Sequence, residues 1–389
     1  MSLLRLVIRL LQPGARLYPF EALFVYGCGF WFLTLRGDNN YWGNFLCDLA
    51  RTNVAFQLAI FLLVVQIPAY KTGIMSNVDV AWPFGLVVVA VQALNVSKDF
   101  WLCFTHPQQQ LFHCWEHRSF LISAALLLHG LRMAIGALVM FYPYDWPDGD
   151  LSRYQYAKQR WEDESSSSQE RKYWWIKQQH ETLLQAYANS VFVAAPVFLV
   201  ATNPNPEPLR GLERLGLGGW CLFWGLENLS DFQKILFLRT AQHNGDADTA
   251  VLGHAPYDGW KYSLWTVSRH PNYFCEWMCW NSLAIMALPS AMDLFDTASG
   301  STSTVRVGLC VLLVYLSRLF YDCLVYWTGA EPAESRSVHR RPLYMVYQKN
   351  TNVLLPISLP GFDHHRTPGW PVVDFVTSGN KNKSKKKQQ

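Results

Sequence analysis

Residues 120–142, "FLISAALLLHGLRMAIGALVMFY", contain one formal charge, Arg132, in an otherwise apolar run. A helix that is apolar on every side has no solvent-facing surface, and roughly 20 mainly apolar residues are what a helix needs to cross about 30 Å of hydrocarbon. Seven further stretches meet the same standard: 17–35, 53–70, 78–96, 182–202, 215–238, 274–292 and 305–327. In lipid every backbone N–H and C=O must be paired within the protein, so such segments close on themselves as helices. The pattern predicts an all-α fold, a polytopic integral membrane helical bundle of about eight transmembrane helices. Composition agrees, with 50% hydrophobic and 16% charged residues, more apolar and less charged than a soluble protein.

Lysine and arginine set the orientation, because short loops rich in them stay cytoplasmic. The tail "KNKSKKKQQ" is the most basic segment, whereas "DLFDTASGSTST" has neither residue. This places both termini, the 143–181 loop and the loop bearing "SRHPNY" in the cytosol. The opening "MSLLRLVIRLLQ" has no small-residue cleavage site, so no signal peptide is expected to be removed. Lys386 and Lys387, followed by Gln388 and Gln389, fit a dilysine retrieval signal read by a coat complex, which makes the endoplasmic reticulum membrane the expected location. The net charge of +4 comes largely from that tail and speaks for a membrane surface, with no nucleic-acid partner expected. The nine cysteines form no CxxC pair and read as small core hydrophobes.

No linker or repeat divides the chain. One transmembrane domain is expected over residues 1–370, followed by a disordered basic cytosolic tail over 371–389. The piece "WEDESSSSQERK" (161–172) is charged and serine-rich, and is expected to be a mobile cytoplasmic excursion.

Polar residues in apolar surroundings are the functional candidates, since hydrocarbon gives them no solvation. In "ENLSDFQK", Glu227, Asp231 and Lys234 share one helix face, as an ion cluster gluing helices or as a ligand-facing wall. In "SRHPNYFCEW", Pro271 suits a first helical turn, and Asn272 and Glu276 then project together at i and i+4. Arg269 and His270 fall at that helix N-terminus, where free N–H groups and the dipole suit an anion; the alternative is an interfacial cap. Beyond the last span, Glu331 and Glu334 stand one turn apart, His339, Arg340 and Arg341 form a basic knot, and Tyr344 and Tyr347 share a face. Such a knot suits lipid headgroups or a phosphate-bearing cofactor with a stacking ring. "GLGGWC" (216–221) lacks the third glycine and the βαβ context of a dinucleotide loop and reads as helix packing. "HCWEH" (113–117) has metal-ligand spacing but too few companion histidines, so no metal is expected.

Together, "NVDVAWP", "GLRMAIG", "WIKQQHETLLQAYANS", "ENLSDFQK", "SRHPNYFCEW" and "TGAEP…RRPLYMVYQKNTNVLLP" resemble the DUF1295 branch of the steroid 5-alpha-reductase C-terminal superfamily over about residues 77–356. The resemblance implies an NADPH-dependent membrane oxidoreductase that reduces an activated C=C bond of a lipophilic, steroid-like or other lipid substrate. It implies that Asn272 and Glu276 face the nicotinamide end of NADPH, that Asp231 helps hold the cofactor, and that Arg340, Arg341 and Tyr344 close over the phosphates. Lys234, Arg269 and His270 are the remaining cofactor-binding candidates. Asp79 and Tyr273 are the candidates for polarising the substrate or donating a proton, although Asp79 can equally pair with Arg132 as a structural bond. The family usually has glycine where this chain has Cys275, and a thiol there would crowd a cofactor. Distant methyltransferase relatives, with RHP-type motifs and a downstream Glu pair, keep S-adenosylmethionine-dependent methyl transfer as an alternative. A non-catalytic membrane scaffold or lipid binder is a third.

Overall fold

A computed structural model of the chain describes residues 18–34, 41–96, 117–141, 150–164, 174–205, 208–294, 302–357 and 368–370. The basic tail, the dilysine and "HCWE" (113–116) lie outside the described residues. Within them the chain is helical and contains no strand.

Helix α1 (Tyr18–Thr34) precedes α2 (Tyr41–Phe61), which continues through a π-helical turn (Leu62–Gln66) into α3 (Ile67–Thr72). Helices α4 (Val78–Val96), α5 (Arg118–Phe141), α6 (Ser152–Glu164) and α7 (Trp174–Ala188) follow, and α7 runs through a second π turn (Asn189–Val193) into α8 (Ala194–Ala201). The C-terminal half holds α9 (Gly211–Asn244), α10 (Ser263–Val267), α11 (Pro271–Asp293) and α12 (Thr302–Asp322), with a third π turn at Cys323–Trp327. Short helices α13 (Ala330–Arg340) and α14 (Tyr344–Asn350) complete the described chain.

Five helical stretches among the described residues are long and apolar enough to cross a membrane: Phe45–Thr72, Val78–Val96, Arg118–Val139, Trp175–Ala201 and Arg306–Arg340. They coincide with five of the expected spans. The other three expected segments are helical too, as α1, α9 and α11, but fall below that standard of length and apolarity. Large apolar side chains such as Leu63, Ile135, Val139 and Val314 face outward, as a lipid-facing surface requires.

The α9–α11 pair is the spine of the C-terminal half. A Cβ on Gly216 would sit 2.5 Å from Ser282 O and 2.6 Å from Met286 N, so only hydrogen fits where the two backbones meet. "GLGGWC" is therefore helix packing. In the other half the glue is polar. Asn53 donates to Ser190 O at 2.9 Å, Gln57 donates to Gly85 O at 2.9 Å, and Asn189 donates to Gln57 Oε1 at 3.1 Å and to Trp82 O at 3.2 Å. These fully buried amides join α2, α4 and the second π turn where apolar packing alone gives no register.

The expected excursion is corrected in its first part. Residues 161–164 close α6, which is docked: Asp150 accepts from the backbone N–H groups of Met75 and Ser76, both at 2.8 Å, and pairs with Lys158. Tyr154 and Trp161 then enter a core cluster with Phe61, Val65, Met75 and Val78. An apolar stripe at 154, 157 and 161 was enough to hold a helix against the bundle; residues 165–173 lie outside the described residues.

Candidate functional site

Between the two halves lies a cavity of about 620 Å³. Its walls come from α4, α5, α6, α7, α9, α11 and the second and third π turns, so no short segment of sequence contains it. Its lining mixes charged and polar side chains with apolar ones, among them Phe192, Leu319, Phe320 and Trp327.

Much of the polar lining is built on α9. Glu227 and Asp231, one turn apart, both receive the guanidinium of Arg132 from α5. Asn272 of α11 donates to Asp231 Oδ1 at 3.1 Å, while its own Oδ1 is buried without a hydrogen-bond partner. Glu276 follows one turn along and also lines the cavity. The helix does begin at Pro271, whose missing N–H costs nothing there, and this start brings Asn272 and Glu276 to one face.

Also on the cavity wall, Asp79 near the start of α4 accepts from Tyr154 Oη at 2.6 Å and pairs through its other oxygen with Arg153. Asp79 thus pairs with Arg153, not with Arg132, which is committed to α9. Burial, with the Asp79 carboxylate next, holds the Tyr154 phenol protonated well above the ordinary tyrosine range. Tyr273 lines the cavity as well, its ring stacked on His270 at 5.1 Å between centroids.

The structure brings Asp79, Asp231, Asn272, Tyr273 and Glu276 together and leaves the other candidates elsewhere. Arg269 is 1% exposed: its Nε and Nη2 reach Glu334 at 2.8 and 3.1 Å, and its Nη1 reaches Gln348 O and Thr351 O at 3.1 and 2.5 Å. His270 shares Glu334 at 2.9 Å, and burial lowers its affinity for a proton. Both expectations of an anion site at the helix N-terminus are therefore corrected, because those donors are used to fasten α13, α14 and Thr351 to the start of α11. Lys234 is exposed and lies over the Trp265 ring at 5.9 Å. Arg340 pairs with Asp248, Arg341 donates to Ala247 O, and Tyr344 is buried against Val251 and Tyr347. None of these lines the cavity. Cys275 is buried and is not part of the cavity wall, so the thiol does not crowd it.

Sequence reasoning missed Arg153 and Tyr154. They sit in a segment whose charge density reads as solvated, yet the stripe Tyr154, Ala157, Trp161 carried the signal of a docked amphipathic helix.

A comparison with curated proteins and one with solved structures each returns no match. A family described as a protein of unknown function, DUF1295, matches residues 66–351. That interval includes both carboxylates of α9, the Asn272 and Glu276 face, and the Asp79–Tyr154–Arg153 group. The chain belongs to the DUF1295 family.

Proposed function

We propose that the cavity binds NADPH and that the protein reduces an activated C=C bond of a lipophilic substrate. The observation that carries the reading is the unpartnered, buried Oδ1 of Asn272 on a wall shared with Glu276 and Asp231. An acceptor left open there suits a carboxamide N–H, and a buried polar atom without a partner costs about 1–3 kcal/mol unless a ligand supplies one. When bound, NADPH supplies a hydride to the β-carbon of an activated double bond. The negative charge that develops on the substrate carbonyl oxygen then needs a donor. Tyr154 fits this need: it stays protonated, and its hydroxyl can turn from Asp79 to a substrate oxygen. The Asp79–Arg153 pair holds that phenol in place. Tyr273 lines the same cavity, and the apolar part of the lining shields the reacting centre from water.

The substrate class follows from the walls. Phe232 and Ile235, 61% and 50% exposed on the outer side of α9, also line the cavity, so it reaches the lipid-facing surface. A molecule dissolved in the bilayer meets that entrance directly. Nothing in the site favours methyl transfer, since the Glu pair behind that alternative is consumed internally: Glu331 accepts from Tyr156, and Glu334 holds Arg269 and His270.

Titration of the purified protein in detergent tests the reading. Glu276→Gln and Asn272→Ala are each expected to weaken NADPH binding about tenfold to hundredfold, the worth of one hydrogen bond to a charged or buried partner. Thermal unfolding controls for folding. Wild-type affinity in both folded variants, or binding of S-adenosylmethionine in place of NADPH, would overturn it.

A further inference from the structure

Glu227 belongs both to the cavity wall and to a second polar cluster, whose other members, His129 and Cys279, lie behind that wall. The donor atoms of His129 on α5, Glu227 on α9 and Cys279 on α11 lie within 4.8 Å of one another, and all three residues are buried. Glu227 Oε2 is 3.9 Å from Cys279 Sγ, while Oε1 is the atom engaged by Arg132. A tetrahedral ion with a sulfur ligand at about 2.3 Å and an oxygen ligand at about 2.0 Å separates those two atoms by about 3.5 Å, so the pair needs to close by only a few tenths of an ångström.

His129 supplies the independent observation. It is 0% exposed, and neither ring nitrogen has a hydrogen-bond partner. Its ring rests against Trp280 at 5.1 Å between centroids, which fixes the imidazole without satisfying it. Orphaned buried imidazole nitrogens are costly, and coordination of an ion is one of the few ways to satisfy one in hydrocarbon.

We propose that His129, Glu227 and Cys279 form a tripod for a thiophilic divalent cation, zinc by ligand type, with a fourth position for water. Imidazole, carboxylate and thiolate are the ligands zinc takes, and three of them leave one position open. Binding displaces the thiol proton, and the ion ties three helices together at one level of the bundle. The site shares Glu227 with the cavity wall, while His129 and Cys279 are not part of it.

Cobalt(II) is the probe. Full-length protein in detergent, stripped with a chelator and titrated with Co²⁺, is expected to bind one ion per chain and to develop a thiolate-to-cobalt charge-transfer band in the near ultraviolet. Cys279→Ser should abolish that band, and His129→Ala should weaken Co²⁺ binding at least about tenfold. Circular dichroism reports folding, and parallel NADPH titration separates the two proposals: a band without NADPH binding sinks only the reductase reading, and NADPH binding without a band sinks only the metal site. Absence of the band in folded wild-type protein overturns the proposal. So does a band that survives Cys279→Ser, or, should that variant not fold, Co²⁺ affinity unchanged by His129→Ala.

Discussion

Tyr154 and Arg269 show how a residue's neighbours, and not its type, decide its role. Both are polar residues beside apolar runs. Tyr154 presents a hydroxyl at a cavity wall with one bond, to Asp79, that can be exchanged. Arg269 has all three guanidinium nitrogens engaged by a carboxylate or a carbonyl. The expected consequence for Tyr154 is catalytic: Tyr154→Phe should lower turnover of a steroid enone by about 10²- to 10⁴-fold, the usual worth of a positioned proton donor, with NADPH affinity unchanged. NADPH oxidation followed beside a binding titration checks this, and a parallel loss of affinity would mark Tyr154 as a cofactor contact. Asn272 and Glu276 were legible in sequence because their spacing is local and Pro271 announces the helix start. The Tyr154–Asp79 contact was not, because 75 residues separate its two partners.

Among the elements, the junction of α11, α13 and α14 is a fastener. Glu334 on α13 gathers Arg269, His270 and Gln348, and Ser268 donates to Leu354 O at 2.8 Å. With Arg269 and Glu334 both buried, removing one charge strands the other. Glu334→Gln is expected to destabilise the folded protein by about 3–5 kcal/mol, measured by chemical unfolding in detergent, while the fraction that folds binds NADPH as wild type does. Weakened NADPH binding by a fully stable variant would return this junction to the cofactor. The basic residues near a helix N-terminus looked like an anion site because sequence shows the donors but not the acceptors, which here arrive from residues 334–351. The three π turns are similarly silent in sequence. Two of them, Asn189–Val193 and Cys323–Trp327, line the cavity, a common place for such a turn to be retained.

At the scale of the molecule, the charge distribution predicts sidedness. A C-terminal tag is expected to be cytosolic and a tag within residues 293–304 lumenal, because the tail is rich in lysine and arginine and residues 293–304 contain neither. Protease accessibility in sealed microsomes reads this directly, and a protected C-terminal tag would reverse the orientation. The sequence by itself determined the all-α bundle, the membrane as its surroundings, the edges of α4 and α11, and the family, since each rests on residues close together in the chain: a run of apolar side chains, a proline at a helix start, motifs of a few residues. Only the tertiary structure decided which polar residues meet. Arg132 is claimed by α9 and not by Asp79, α6 is held inside by Asp150 and Tyr154, and His129, Glu227 and Cys279 converge from three helices. The reason is physical. Backbone hydrogen bonding and hydrophobic length are satisfied within a segment, whereas in hydrocarbon a buried charge finds its partner on whichever helix packs beside it, and that choice is made by close-packing of whole helices.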